Sequence, residues 1–136
     1  MSNLIIAGGR DFDEYMLLSE KVMDFICLHE LEQSTTTIFH GDCEGADKLG
    51  DKFAKEIGAK IRVFPAAWGE LDAKPNLIKT LKGGTMYNAL AGLNRNTEMV
   101  KEATHLIAFW NGKSPGTKDI IDKAKKAGLI VETVIY

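Results

Sequence analysis

Residues 4–12 read LIIAGGRDF, and this stretch decides the fold. Four apolar residues run without interruption into two glycines, which is typical of a buried strand that ends in a tight loop. Residues 13–32 follow with apolar side chains near helical spacing, and Asp13 stands where an N-cap is expected. A strand, a glycine-bearing loop and a helix, in that order, predict the first half of a parallel β-α-β unit.

The same order repeats to the end of the chain. Further strands are predicted at 36–40, 60–64, 105–110 and 129–135, and further helices at 44–57, 93–103 and 117–127. This alternation predicts an α/β fold, in which a mainly parallel sheet of about five strands is covered by helices on both faces. Residues 66–91 interrupt the pattern, and we expect a long excursion there with a short helix near 75–81. At 136 residues, the chain is predicted to form a single domain spanning 1–136.

The composition narrows the classes of function. Lys and Arg total 17, Asp and Glu total 19, and the net charge of -2 lacks the basic excess of a duplex-binding protein. A nucleic-acid partner is therefore not expected, although a local basic patch is compatible with these totals. Cys27 and Cys43 form no CxxC pair and are expected to be reduced. The sequence shows no signal-peptide pattern and no apolar run of roughly 20 residues, which predicts a cytoplasmic protein with no membrane partner.

Three glycine-bearing loops leave the carboxyl ends of the first, second and fourth strands of the predicted sheet. Ligands of open parallel sheets bind beyond these ends, and the N–H groups at a helix N-terminus favour an anion there. Neither GxGxxG nor GxxxxGK[ST] is present, which disfavours the usual dinucleotide and NTPase loops. Alternatively, the glycines only make the tight turns that any α/β protein needs. The ligand-binding candidates in these loops are Gly8, Gly9, Arg10, His40, Gly41, Gly45, Asp47, Trp110, Gly112, Gly116 and Thr117.

Arg95 is a further candidate, near the start of the helix that precedes the fourth strand of the sheet. A guanidinium at that place can form a fork to phosphate. Alternatively, Arg95 is an ordinary surface arginine with no ligand to bind, and Asn94 is the cap of the helix. The residues alone do not separate these two readings.

Other polar and aromatic side chains carry weaker signals. His40 is either an acid–base group or a side chain that satisfies loop hydrogen bonds, and Asp47 is expected to accept from loop amides or a ribose hydroxyl. His40, Asp42 and Asp47 match no metal-site spacing, so we expect no metal and no cofactor. Trp68 and Trp110 each offer a flat face for a base. Trp110 is slightly favoured because it ends a strand at the ligand edge, whereas Trp68 equally suits a core position.

The chain resembles the SLOG superfamily, and in particular its YspA/YpsA-related branch, in five segments that occur in the same order. The resemblance implies a Rossmann-like three-layer sandwich that binds a nucleotide or nucleotide-derived ligand in a bacterial or phage-infected cell. It places Arg95 and Asn96 among the ligand-binding residues. The five segments are Gly8–Phe12, His40-Gly41 with Gly45–Asp47, Pro65 with Trp68, Ala91-Gly92 with Arg95-Asn96 and Met99, and Gly116-Thr117.

Members of the superfamily include cytokinin-activating phosphoribohydrolases, DNA-processing protein A and suspected sensors of nucleotide signals. The resemblance likens Arg95 to the arginine that the hydrolases place near the ribose phosphate, and Gly116-Thr117 to their PGGxGTxxE loop. The glutamate of that loop is replaced here by Ile120, and Asp119 stands one residue early.

We therefore expect a nucleotide-binding sensor, sponge or regulator. The alternative is N-glycosidic hydrolysis of nucleoside monophosphates, with Arg95 as the phosphate clamp and Asp119 or Asp47 as the carboxylate. A DNA-associated module is a third hypothesis. A homodimer or higher homo-oligomer stays open.

Overall fold

The computed structural model describes residues 1–72 and 75–136, which form seven strands and four α-helices. In chain order these are β1 (Ser2–Gly8), α1 (Tyr15–Leu28), β2 (Thr36–His40), α2 (Ala46–Ile57), β3 (Lys60–Val63), β4 (Ile78–Thr80), β5 (Met86–Asn88), α3 (Ala91–Glu102), β6 (His105–Trp110), α4 (Pro115–Lys126) and β7 (Ile130–Ile135). None of the helices in this part of the chain is long and apolar enough to cross a membrane.

Five of the strands form one sheet in the order β3-β2-β1-β6-β7, and every neighbouring pair is parallel. In the centre of the sheet, Ile5 of β1 stands opposite Phe39 of β2 on one side and Leu106 of β6 on the other. The predicted α/β fold with a five-stranded parallel sheet is confirmed. With helices on both faces, the molecule is a Rossmann-like three-layer sandwich.

The core lies in two layers, one on each face of the sheet. Leu4 and Ile6 pack with α1 and α2, whereas Ile5 and Ala7 pack with α3 and α4. Successive side chains of a strand point to opposite faces, so a strand covered on both faces must be apolar throughout. This explains the uninterrupted apolar run of β1.

The short helix predicted near 75–81 is wrong. Within the described residues of 66–91, β4 and β5 form an antiparallel hairpin, with Lys79 opposite Tyr87. Gly83 and Gly84 both adopt positive φ angles, at 114° and 93°, in the connecting turn. Glycine reaches this region without steric cost, and a glycine pair between short β-forming segments is a hairpin signal.

Two predicted helix caps also differ from the structure. The first helix begins at Tyr15 after Glu14, with no side-chain cap, so Asp13 is not its N-cap. The third helix begins at Ala91, which places Asn94 inside its first turn. There the Asn94 side chain donates to the Pro75 carbonyl at 2.9 Å and ties the helix to the segment before β4.

Candidate functional site

A cleft of about 450 Å³ opens at the carboxyl ends of β1 and β6. The chain runs outward from β1 through β2 to β3, then returns to the other side of β1 as β6. The strand order therefore reverses between β1 and β6, and such a switch point leaves a crevice where ligands of α/β proteins bind. The volume falls within the roughly 300–1,000 Å³ typical of small-molecule sites.

The structure brings some of the predicted binding residues into this cleft and leaves others outside it. Those that line it are Gly8, Gly9, Arg10, Asp47, Arg95, Asn96, Gly116 and Thr117. His40, Gly41, Gly45, Trp110 and Gly112 do not line it. All three glycine-bearing loops nevertheless leave the same edge of the sheet, as the predicted topology requires.

The loop after β6 presents the N-terminus of α4 to the cleft. The side-chain oxygen of Asn111 accepts from the backbone N–H groups of Lys113 and Ser114 at 2.8 and 2.9 Å, which fixes the loop. The N–H groups of Gly116 and Thr117 lie in the first helical turn, where no preceding turn supplies acceptors. Such N–H groups, together with the helix dipole, favour an anion beside a helix N-terminus.

Arg95 crosses from α3 to the loops after β2 and β3. One terminal nitrogen donates to the Gly41 carbonyl at 2.6 Å and lies 3.4 Å from the Phe64 carbonyl, while Nε donates to the Asn96 side chain at 3.0 Å. Within the described part of the chain, the other terminal nitrogen contacts only a weak acceptor, the Cys43 thiol at 3.7 Å. The guanidinium is thus held mainly by the protein, and a single nitrogen keeps most of its donor capacity for a ligand.

Asp47 is buried behind the glycine loop that follows β2. Its carboxylate accepts from the backbone N–H of Gly41 at 2.9 Å and lies 3.4 Å from that of Cys43, so it holds loop amides as expected. Burial raises the pKa of Asp47 above its ordinary value, and the positive charge of Arg95 opposes that rise. The pair places one buried carboxyl and one cation beside each other at the wall of the cleft.

His40 and Trp110 are engaged away from the cleft. His40 Nδ1 accepts from the Asp42 N–H at 3.1 Å, and Nε2 lies 2.9 Å from Asp51, so both ring nitrogens satisfy local partners. The Trp110 indole donates to the Ser114 carbonyl at 3.0 Å and packs against the core layer beneath α3 and α4. Neither side chain lines the cleft.

The start of α4 turns the predicted catalytic carboxylate away from the cleft. Asp119 lies 2.9 Å from the Lys123 ammonium and 3.2 Å from the Asn96 amide, and it does not line the cleft. The neighbouring Ile120 does line it. The geometry therefore gives no support to Asp119 as a catalytic residue.

Several lining residues were not among the predicted binding residues. Trp68, the less favoured tryptophan, lies at the cleft and is 38% exposed, so it is not a core residue. Its indole ring rests over Gly92, at the start of α3. Asp11 also lines the cleft and accepts from the Tyr136 hydroxyl, and burial followed by this hydrogen bond raises the pKa of Tyr136 to about 12. The sequence could have marked Asp11 as a candidate binding residue, because it directly follows Arg10 in the first loop.

Comparisons with known proteins place the chain beside one phage protein. It is similar to the Gene 61 protein of Mycobacterium phage D29, with 27% identity over 136 residues that cover 96% of this chain and 94% of the relative. No protein-family model matches the chain. No solved structure matches it either.

Proposed function

We propose that the cleft binds a nucleotide or a nucleotide-derived phosphate ligand, and that the protein serves as a sensor, sponge or regulator of it. The observation that carries the proposal is the position of the α4 N-terminus, which lines a cleft at the switch point of the sheet. Free N–H groups at such a helix end favour a phosphate. The resemblance of the loops to the SLOG superfamily supports the same class of ligand.

The remaining walls suit the other parts of a nucleotide. Trp68 offers a half-exposed indole face for a base, at the side of the cleft formed by α3. Asp11 and Asn96 supply polar groups that can meet ribose hydroxyls. Arg95 contributes positive charge and one donating nitrogen for the phosphate.

We further propose binding without hydrolysis. Glycosidic cleavage leaves positive charge on the ribose, which a nearby carboxylate must stabilise. Ile120 lines the cleft where the related hydrolases carry glutamate, while Asp119 is paired with Lys123. The carboxyl of Asp47 is buried and holds loop amides, so it serves the structure of the loop.

The decisive experiment is a thermal-shift screen against nucleoside mono-, di- and triphosphates, cyclic nucleotides and ADP-ribose, each compared with its unphosphorylated nucleoside. A ligand at 100 times its dissociation constant adds about 2.7 kcal/mol to the free energy of unfolding, which is easily seen. We expect phosphorylated ligands to raise the melting temperature and nucleosides to raise it little. Equal shifts for both would refute the phosphate site, and no shift with any ligand would refute the proposal.

A matched pair of variants tests whether the ligand binds at the start of α4. Gly116 lines the cleft, and a Cβ added there meets no atom within 4 Å among the described residues. Gly116→Ala should therefore keep the fold and put a methyl group where the phosphate lies, which weakens binding. Gly69→Ala is the control, because Gly69 has the same free space and does not line the cleft. Equal affinity of both variants would move the phosphate away from α4.

A further inference from the structure

The two edges of the five-stranded sheet differ in how they are protected from pairing with another strand. At one edge, β3 has four residues and carries Lys60 and Arg62, and Arg62 lies 2.9 Å from the Glu102 carboxylate of α3. At the other edge, β7 has six residues, and its one charged residue is Glu132. Proteins protect free edges with short strands and charged side chains, above all lysine. By this comparison, β7 is the less protected edge.

The hydrogen bonds between β6 and β7 show which backbone groups of β7 face outward. The N–H of Ile130 donates to the Thr104 carbonyl at 3.2 Å, and the N–H of Tyr136 donates to the Trp110 carbonyl at 3.1 Å. Alternate residues of a strand direct their backbone groups to the same neighbour, so the even-numbered residues of β7 bond β6. The residues that direct their N–H and C=O groups away from the sheet are Val131, Thr133 and Ile135.

The side chains of β7 leave apolar surface on both faces of this edge. Ile130 is 45% exposed and Ile135 is 62% exposed. Successive strand residues point to opposite faces, so Ile130 shares a face with Val134, and Ile135 shares the other with Val131. Val134 packs with the layer of α1 and α2, whereas Val131 packs with the layer of α3 and α4. Each face of the sheet therefore ends in one exposed isoleucine.

We propose that β7 pairs antiparallel with β7 of a second copy of this chain, so that the two five-stranded sheets become continuous. A two-fold axis normal to the sheet relates the copies, which presents the same surface from both. The axis lies at Thr133, which stands opposite its own counterpart. Val131 then stands opposite Ile135 of the second copy. These are the outward-facing residues, so each pair exchanges both of its N–H···O bonds.

Charge and hydrogen bonding select this register. An axis at Glu132 would set two carboxylates directly opposite each other, which is destabilising. It would also place Ile135 opposite Leu129, which lies outside the strand. An axis at Thr133 pairs every outward-facing residue of β7 and sets Glu132 opposite Val134 instead. Axes farther along the strand in either direction leave more of the outward-facing residues without a partner in β7.

The same register favours a second copy over a strand of another protein. Ile135 meets Val131 of the second copy, and Ile130 meets Tyr136, so both exposed isoleucines gain an apolar partner. Aromatic pairs with β-branched residues, and pairs of threonines, are favourable across antiparallel strands. The edge is thus complementary to itself in charge, side chains and backbone. No residue of β7 lines the cleft, so this interface is independent of the nucleotide proposal.

The test is sedimentation velocity of the full chain at a series of micromolar concentrations, where we expect a reversible dimer. Thr133→Pro removes an outward N–H and keeps those that bond β6, and proline is tolerated at such edge positions. This variant should fold, and its dimer dissociation constant should rise about tenfold or more. Val63→Pro is the matched control on β3. The Phe64 N–H donates to the His40 carbonyl at 2.8 Å, so the Val63 N–H faces outward, and this variant should dimerise as the wild type does.

A charge-swap pair tests the register without proline. Thr133→Lys and Thr133→Glu each set like charges opposite each other, so each variant alone should be monomeric at concentrations where the wild type is dimeric. An equimolar mixture should recover the dimer, and circular dichroism with urea denaturation shows that each variant is folded. A mixture that stays monomeric would refute the register. Dimers that persist in both single variants, or that are lost equally in Val63→Pro, would refute the interface. A wild type that is monomeric at every concentration would overturn the proposal and leave the edge to a strand of another protein.

Discussion

The glycine-bearing loops after β1 and β2 differ from the loop after β6 in what fills the space beside the glycine. A Cβ at Gly41 would collide with the Arg95 guanidinium, and one at Gly45 would collide with the Gly9 carbonyl. At Gly116, after β6, the described residues leave that space open. The same residue type therefore packs loops against each other in one region and leaves room for a ligand in the other.

This difference separates the two readings of the glycines that the sequence left open. In the first two loops, the protein itself makes the close approach, so the packing of these loops depends on their glycines whether or not a ligand binds. Among the residues that the structure describes, only the start of α4 combines a first helical turn of backbone donors with open space beside a glycine that lines the cleft. Substitutions in the two regions should consequently fail in different ways.

The largest effect is expected for Gly45→Ala. Gly45 has a φ of 80° and approaches the Gly9 backbone, which cannot rotate away as a side chain can. The strain and the clash together should lower the free energy of unfolding by about 3 kcal/mol. Urea denaturation without ligand measures it, and Gly116→Ala should show no such loss. Equal stability of the two variants would abolish the distinction between the regions.

Arg95→Ala should give the next largest effect. It removes the donors to the Gly41 and Phe64 carbonyls, and the free energy of unfolding should fall by about 2 kcal/mol even without ligand. Arg95→Lys keeps the charge but lacks the planar fork, so it should recover only part of the loss. Unchanged stability without ligand, combined with weaker nucleotide binding, would instead make Arg95 a dedicated phosphate clamp.

The strands show how far the sequence could predict the fold. The two predicted strands 36–40 and 105–110 match β2 and β6 fully, because both are interior strands of the sheet that are rich in β-branched, aromatic and other apolar residues. The β4–β5 hairpin was missed because its strands are only three residues long and largely exposed, so no buried face marks them. The Gly83-Gly84 pair was the local signal for the hairpin turn, and it should have outweighed the short helix that was predicted near 75–81.

The site shows where sequence alone falls short. The sequence predicted the edge of the sheet at which the cleft opens, but it did not predict the direction of single side chains. Phe109 and Trp110 are successive strand residues, so they point to opposite faces, and Trp110 packs beneath α4. Asp119 and Ile120 differ by about 100° around α4, and the helix orientation that turns Ile120 to the cleft is set by tertiary packing. No local pattern contains that orientation.

Asp47→Asn should have a smaller effect that depends on pH. Burial raises the pKa of Asp47 above its ordinary value of 3.8, which applies in the unfolded state. The folded state therefore holds the proton of Asp47 more tightly than the unfolded state does. The stabilisation is complete below that value and is lost as pH rises through the raised value of the folded state. Asparagine does not ionise, so wild type should lose stability relative to the variant as pH increases. Urea denaturation of both proteins at a series of pH values measures this, and a constant difference would contradict the expected sign.

The last prediction is that Asp119→Asn has no effect on the release of free base from AMP, GMP, CMP and UMP. A carboxylate that stabilises a glycosidic transition state must point at the ribose, and positioning errors near 1 Å can cost about a hundredfold in rate. Asp119 is instead held at 2.9 Å from Lys123, outside the cleft that Ile120 lines. Chromatography of long incubations should therefore show no base release by wild type or variant, while ligand-induced thermal shifts persist in both. Fast release by wild type that disappears in Asp119→Asn would mean that the start of α4 rotates when ligand binds. In that case, the start of α4 would belong to a catalytic site and not to a site that only binds the ligand.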